Sequence, residues 1–111
     1  MKRVTVKEVQ EAYKKTGLSP SQGAYLDRGA GCSCPLGALT YAKDPKQFEI
    51  CIGEQNIFKF LGLEDQYGVG FVTAVDELPF VDGFFTTPEH RNEYKTGYKD
   101  GEIVRKAVLG K

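Results

Sequence analysis

Three cysteines and one histidine are the residues of this chain whose types could do chemistry. Cys32 and Cys34 stand one residue apart in GAGCSCPLGAL (residues 29–39), Cys51 follows in an apolar segment, and His90 lies far downstream. Cys34 precedes Pro35, so a helix opening at Pro35 makes Cys34 its N-cap, where free amides and the helix dipole favour a thiolate. A thiol enzyme also needs a base, and His90 is the one imidazole available. Together Cys32, Cys34, Cys51 and His90 make a legitimate tetrahedral zinc set, although the usual zinc knuckle is C-x2-C. The commoner fate of such cysteines is burial as small apolar groups, and Cys51 fits the stripe of Phe48 and Ile52 without a metal. The expectation is therefore packing: no catalytic residue and no cofactor, with a zinc or reactive-thiol protein as the alternative.

Two further constellations could bind. Gly29, Gly31 and the amides around Cys34 could form a concave nest for a phosphate or carboxylate, but no Lys-Ser/Thr pair ends it, so a tight turn is favoured over a P-loop. Phe80, Val81, Phe84 and Phe85 crowd large apolar groups into a connection between helices. They either fold back as a plug or stand out as a contact patch suited to a homodimer interface.

The elements that must position these groups are mostly helical. Thr5 with Glu8 makes a capping box, and Val6, Val9, Ala12 and Tyr13 recur at helical spacing up to Gly17. The Gly/Ser/Pro-rich stretch that follows reads as loop, with Ala24 to Asp27 able to pair as a short strand. A short second helix runs from Pro35 to about Lys43. Asp44, Pro45 and Gln47 repeat the start signal for a third helix, which Gly53 interrupts before Ile57, Phe60 and Leu61. Tyr67, Phe71, Ala74, Val75 and Leu78 line one face of a fourth helix that Pro79 stops. Phe80 to Phe85 contains Asp82-Gly83, a candidate hairpin turn. Thr87 before Pro88 opens the fifth helix, which carries Tyr94, Tyr98, Gly101, Arg105 and Val108 on one side and ends at Gly110.

One pattern occurs twice. Tyr67-Gly-Val-Gly70-Phe71-Val-Thr-Ala74 and Tyr94-Lys-Thr-Gly97-Tyr98-Lys-Asp-Gly101 share tyrosine, two residues, glycine, an aromatic, two residues and a small residue. A glycine inside a helix costs about 1 kcal/mol relative to alanine, so its repeated use calls for a compensating contact. The expected contact is close approach of the fourth and fifth helices through Gly70, Phe71, Ala74, Gly97, Tyr98 and Gly101.

Length and charge bound the function. A chain of 111 residues reads as one domain, 1–111, able to bury its own core. The opening MKRVTVKEVQEAYKK interrupts its apolar positions with charges, unlike a signal peptide or membrane span, which implies a cytoplasmic protein with reduced thiols. Formal net charge is zero, with basic excess in residues 1–43 and 83–111 and acidic excess in 44–82. No basic footprint for nucleic acid results, and the basic ends could pair with the acidic middle within the fold or across a dimer.

The Cys34–Leu39 segment, Gly70-Phe71 and Gly97-Tyr98-Lys99-Asp100-Gly101 resemble motifs of a family of small bacterial and phage-associated proteins. Where members often read Gly-Phe-Asp-Gly, this chain has Ala74-Val75-Asp76-Glu77. The resemblance implies a mostly helical fold and no particular activity. The whole reads as a mainly α, single compact bundle of about five helices, with a short strand or hairpin allowed in the 23–28 and 80–85 loops. Its expected work is non-enzymatic binding, to a protein partner or to a second copy, with no nucleic acid and no membrane.

Overall fold

The computed structural model describes residues 1–48, 54–82 and 85–111, with the side chains of Glu54 and Gln55 also outside the description. The chain forms a mainly helical bundle. Its elements are α1 (Val6–Thr16), β1 (Ser19–Pro20), β2 (Cys32–Ser33), α2 (Pro35–Lys43), a 3-10 turn (Pro45–Phe48), α3 (Glu54–Leu61), α4 (Asp65–Val75) and α5 (Pro88–Val104). A π-helical turn over Arg105–Leu109 extends α5. The radius of gyration, 13.3 Å, is that of a folded chain of this length. Among the described residues no helix is long and apolar enough to cross a membrane.

Local chemistry explains the ends of the helices. The Thr5 hydroxyl accepts from the Glu8 amide while the Glu8 carboxylate accepts from the Thr5 amide, and Gly17 closes α1 at φ 74°. Cys34 and Thr87 cap α2 and α5, each followed by proline at the first helical position. The core gathers Val9 from α1, Leu36 from α2, Ile57 and Phe58 from α3, and Tyr67 and Phe71 from α4, all 0–1 % exposed.

Helices α4 and α5 make the tightest junction. A methyl group built on Gly97 would fall on the Tyr67 carbonyl, one on Gly70 on the Tyr94 carbonyl, and one on Gly101 on the Phe71 carbonyl and 2.9 Å from Ala74 Cβ. The first two contacts are reciprocal. The tyrosine that opens each copy of the repeated pattern lies over the glycine of the other, so the repeat is a pair of mutually fitted backbones. Successive contacts advance together, from Tyr67 with Gly97 through Phe71 with Gly101 to the Ala74 carbonyl with the Arg105 guanidinium, so the two helices run parallel. A parallel pair needs a return connection, and residues 76–87 supply it.

Several sequence expectations shift. Ala24 to Asp27 does not form the strand; β1 pairs parallel with β2, and only Asp27 bridges to Cys32. The loop is held elsewhere, because the Tyr25 backbone lies on the Cα of Gly37 and the Ala24 carbonyl accepts from the Cys34 amide at 2.8 Å. Residues 80–82 form no strand and run back along α5, with Phe80 packed on Tyr94 and Tyr98. Pro45 opens only a 3-10 turn, and α3 starts at Glu54; Gly53, expected to interrupt that helix, lies outside the described residues. Leu78, expected on the buried face of α4, is 54 % exposed because the helix ends at Val75. There Glu77 adopts φ 59° and the Leu78 amide bonds back to the Thr73 carbonyl at 3.0 Å, a Schellman closure that turns Leu78 outward.

Candidate functional site

Residues 78–82 and Phe85, laid back along the parallel helix pair, build an apolar face whose inner layer is aromatic. Phe80 meets Tyr94 and Tyr98 edge-on at centroid distances of 5.1 and 5.2 Å, and Phe85 packs on Tyr94 at 5.0 Å. Two hydroxyls fix the backbone above them. Tyr98 donates to the Leu78 carbonyl at 2.7 Å, and Tyr94 accepts from the Val81 amide at 3.3 Å. The alternatives of plug and patch are thus divided among neighbouring residues. Phe85 and one side of Phe80 turn toward Tyr94, while Leu78 at 54 %, Val81 at 42 %, Val69 at 37 % and the rest of Phe80, itself 37 % exposed, face solvent. Between α4 and this return segment lies a groove of about 460 Å³, walled by Val69, Thr73, Pro79, Val81, Phe85 and Tyr94. The Asp82–Arg91 ion pair, at 2.9 Å, marks the end nearest the start of α5. Phe84, the remaining member of the expected patch, lies outside the described residues.

The thiols take a different role. Cys34 is 6 % exposed and caps α2, its sulfur accepting from the Gly37 amide at 3.5 Å. Burial pushes this thiol up to about 12, and the amides of Gly37 and Leu36, which pull the other way, do not compensate. The N-cap position therefore gives no reactive thiolate, because desolvation outweighs the helix terminus. Cys32 is half-buried in β2, and Cys51 lies outside the described residues. His90, exposed in the first turn of α5, contacts the Thr86 hydroxyl at 3.2 Å through Nδ1. Among the described residues, no group of three or more His, Cys, Asp or Glu side chains is placed to hold a metal ion.

Three amides of the Gly29–Cys34 loop, those of Ala30, Cys32 and Cys34, already have acceptors. The Asp27 carboxylate accepts from Ala30 at 3.1 Å, the Asp27 carbonyl accepts from Cys32, and the Ala24 carbonyl accepts from Cys34. Gly31 supplies a left-handed turn residue at φ 67°, and Gly29 has ordinary contacts. An acidic side chain thus occupies the turn that was a candidate anion nest.

Sequence reasoning missed Asp100. This carboxylate is 6 % exposed and accepts from Arg3 Nε at 2.9 Å, from a second Arg3 nitrogen at 2.8 Å and from the Tyr67 hydroxyl at 2.6 Å, while that hydroxyl accepts from the Val4 amide at 2.7 Å. Burial pushes Asp100 up. The hydrogen bonds from Arg3 and Tyr67, with the charges of Arg3 and Lys99, outweigh it and hold the carboxyl below its ordinary range. The only sequence signal was its place inside Gly97–Gly101, between two glycines that press α5 against α4.

No protein-family model, curated protein or solved structure matches this chain.

Proposed function

We infer that this chain is a non-catalytic binding module of the cytoplasm that pairs with a second copy of itself through the face formed by Val69, Leu78 and Val81. The observation that carries this reading is the exposure of those three apolar side chains beside a groove on rigidly packed helices. Covering what remains open on each would contribute roughly 1 kcal/mol per side chain, which sets the scale of a weak interface. Charge supports the pairing, because the face lies at the end of the acidic middle of the chain and the basic ends can meet it in a second copy. The Cys34–Leu39 and Gly97–Gly101 motifs support placing the chain beside the small bacterial and phage-associated proteins that it resembles.

Sedimentation equilibrium tests the inference. Wild-type protein is expected to show a concentration-dependent dimer, and Leu78→Asp and Val81→Asp, both at exposed positions, should be monomeric with unchanged helix content. A monomer at roughly millimolar protein, well above the expected range for a weak interface, would remove it.

A further inference from the structure

The Cys34–Leu39 segment plays no part in the dimer face, yet it floors a second concavity. Cys34, Pro35 and Leu36 from α2 meet Phe71 and Val75 from α4 around a cavity of about 150 Å³. Leu36 and Phe71 are 0 % exposed and Val75 is 2 % exposed, so the floor is fixed core. The roof is the loop Gly23-Ala24-Tyr25, and it is stitched on both sides. On the α2 side, the Ala24 carbonyl accepts from the Cys34 amide at 2.8 Å, and the absent side chain of Gly37 admits the Tyr25 backbone. On the α4 side, the Gly23 amide donates to Asp76 Oδ1 at 3.0 Å, and Gln22 Nε2 donates to the Val75 carbonyl at 2.7 Å. The space between the stitches is preformed.

Its chemistry is specific. Among the described residues that line the cavity, Asp76 is the one with a charged side chain, and the others are mostly apolar. Asp76 is also the C-cap of α4, where the helix dipole favours positive charge. Arg105 bonds the Ala74 carbonyl and Lys111 the Gln22 side chain at this end of α4, and among the described residues no cation pairs with Asp76. A cavity of this volume accommodates a body about the size of a benzene ring.

We propose that this cavity binds a small primary amine with an apolar body, its ammonium on Asp76 and its body between the Gly23–Tyr25 loop and Val72, above the buried Leu36, Phe71 and Val75. The site is separate from the dimer face and does not depend on it.

Benzylamine is the probe, with benzyl alcohol as the neutral isostere. In amide-detected NMR titrations of the full chain, benzylamine should give saturable shifts at Gly23, Ala24, Leu36 and Asp76, with a dissociation constant on the order of 1 mM for so small a ligand. Benzyl alcohol should bind about tenfold more weakly. Asp76→Asn keeps an oxygen for the Gly23 amide and should abolish that preference. Val72→Phe, on the half-buried wall, should block both ligands while leaving helix content unchanged. Equal binding of the two probes, a preference that survives Asp76→Asn, or no saturable shift would overturn the proposal. Binding that persists in Val72→Phe would place the ligand elsewhere and overturn it equally.

Discussion

The carbonyl of Tyr67 occupies the space that a side chain on Gly97 would need, and the carbonyl of Tyr94 does the same at Gly70. Backbone cannot swing aside as a flexible side chain can, so a single methyl group must push α4 and α5 apart. Gly97→Ala should therefore lose about 3 kcal/mol or more, despite the better helix propensity of alanine. Gly29→Ala is the control, since only the Asp27 carboxylate lies within reach there, at 3.5 Å, and should change stability by less than about 0.5 kcal/mol. Urea denaturation of the two variants measures the contrast, and equal effects would mean that the helix pair is looser than described.

Acid should weaken the clasp between the N-terminal segment and α5. The folded state holds Asp100 below its ordinary carboxyl value, so it binds fewer protons there than the unfolded chain does in acid. The resulting stability is fully present above the unfolded value, about 3.9, and fades as pH falls through the lower folded value. Asp100→Asn should lower stability at pH 7 and flatten its decline below pH 4. Thermal melts of both proteins from pH 2 to pH 7 provide the measurement; parallel curves would show that Asp100 contributes nothing to the acid limb.

What could be read from sequence divides along a physical line. The capping box at Thr5 and Glu8, the prolines at 35 and 88, and the twinned Tyr-Gly-aromatic pattern act through neighbours three or four residues away, or through the absence of a side chain, and such signals are local. The bond between Arg3 and Asp100 spans 97 positions, and nothing near either residue announces it. Gly37 was visible only as part of the Cys34–Leu39 motif, because its partner, Tyr25, belongs to a loop without periodicity. Leu78 misled for another reason. Its spacing continues the stripe of α4, but the helix ends three residues earlier, at Val75, and Glu77 then turns the chain in a conformation usually reserved for glycine. The cysteine at the α2 N-cap was correctly placed, while its reactivity turned on burial, which spacing alone does not reveal.

Glu77 offers a stabilising substitution. Its φ of 59° costs a residue with a side chain roughly 1 kcal/mol that glycine does not incur. The side chain returns little, since the bond it accepts from Gln22 Nε2 at 3.0 Å is exposed to water. Glu77→Gly should therefore raise stability by about 0.5 kcal/mol. Denaturant midpoints with an unchanged slope would register the gain, and a loss would show that the Gln22 contact outweighs the backbone conformation.

Cys34 and Cys32 should differ sharply toward alkylation although only one residue separates them. Cys34 is buried, its sulfur receives the Gly37 amide, and burial pushes its thiol up to about 12, so near pH 8 it presents almost no thiolate. Cys32, half-buried in β2, lacks that degree of enclosure. Iodoacetamide followed by peptide mapping should label Cys32 at least tenfold faster than Cys34 in the native protein, and denaturant should erase the difference. The same burial has a consequence for stability. A thiol raised in the folded state stabilises it while neutral, and that contribution declines from the unfolded value, about 8.5, up to the folded one. Cys34→Ala should therefore flatten the alkaline limb of the stability curve between pH 8.5 and pH 10. Rapid labelling of Cys34 in the native state, or an unchanged alkaline limb in the variant, would mean that solvent reaches the N-terminus of α2.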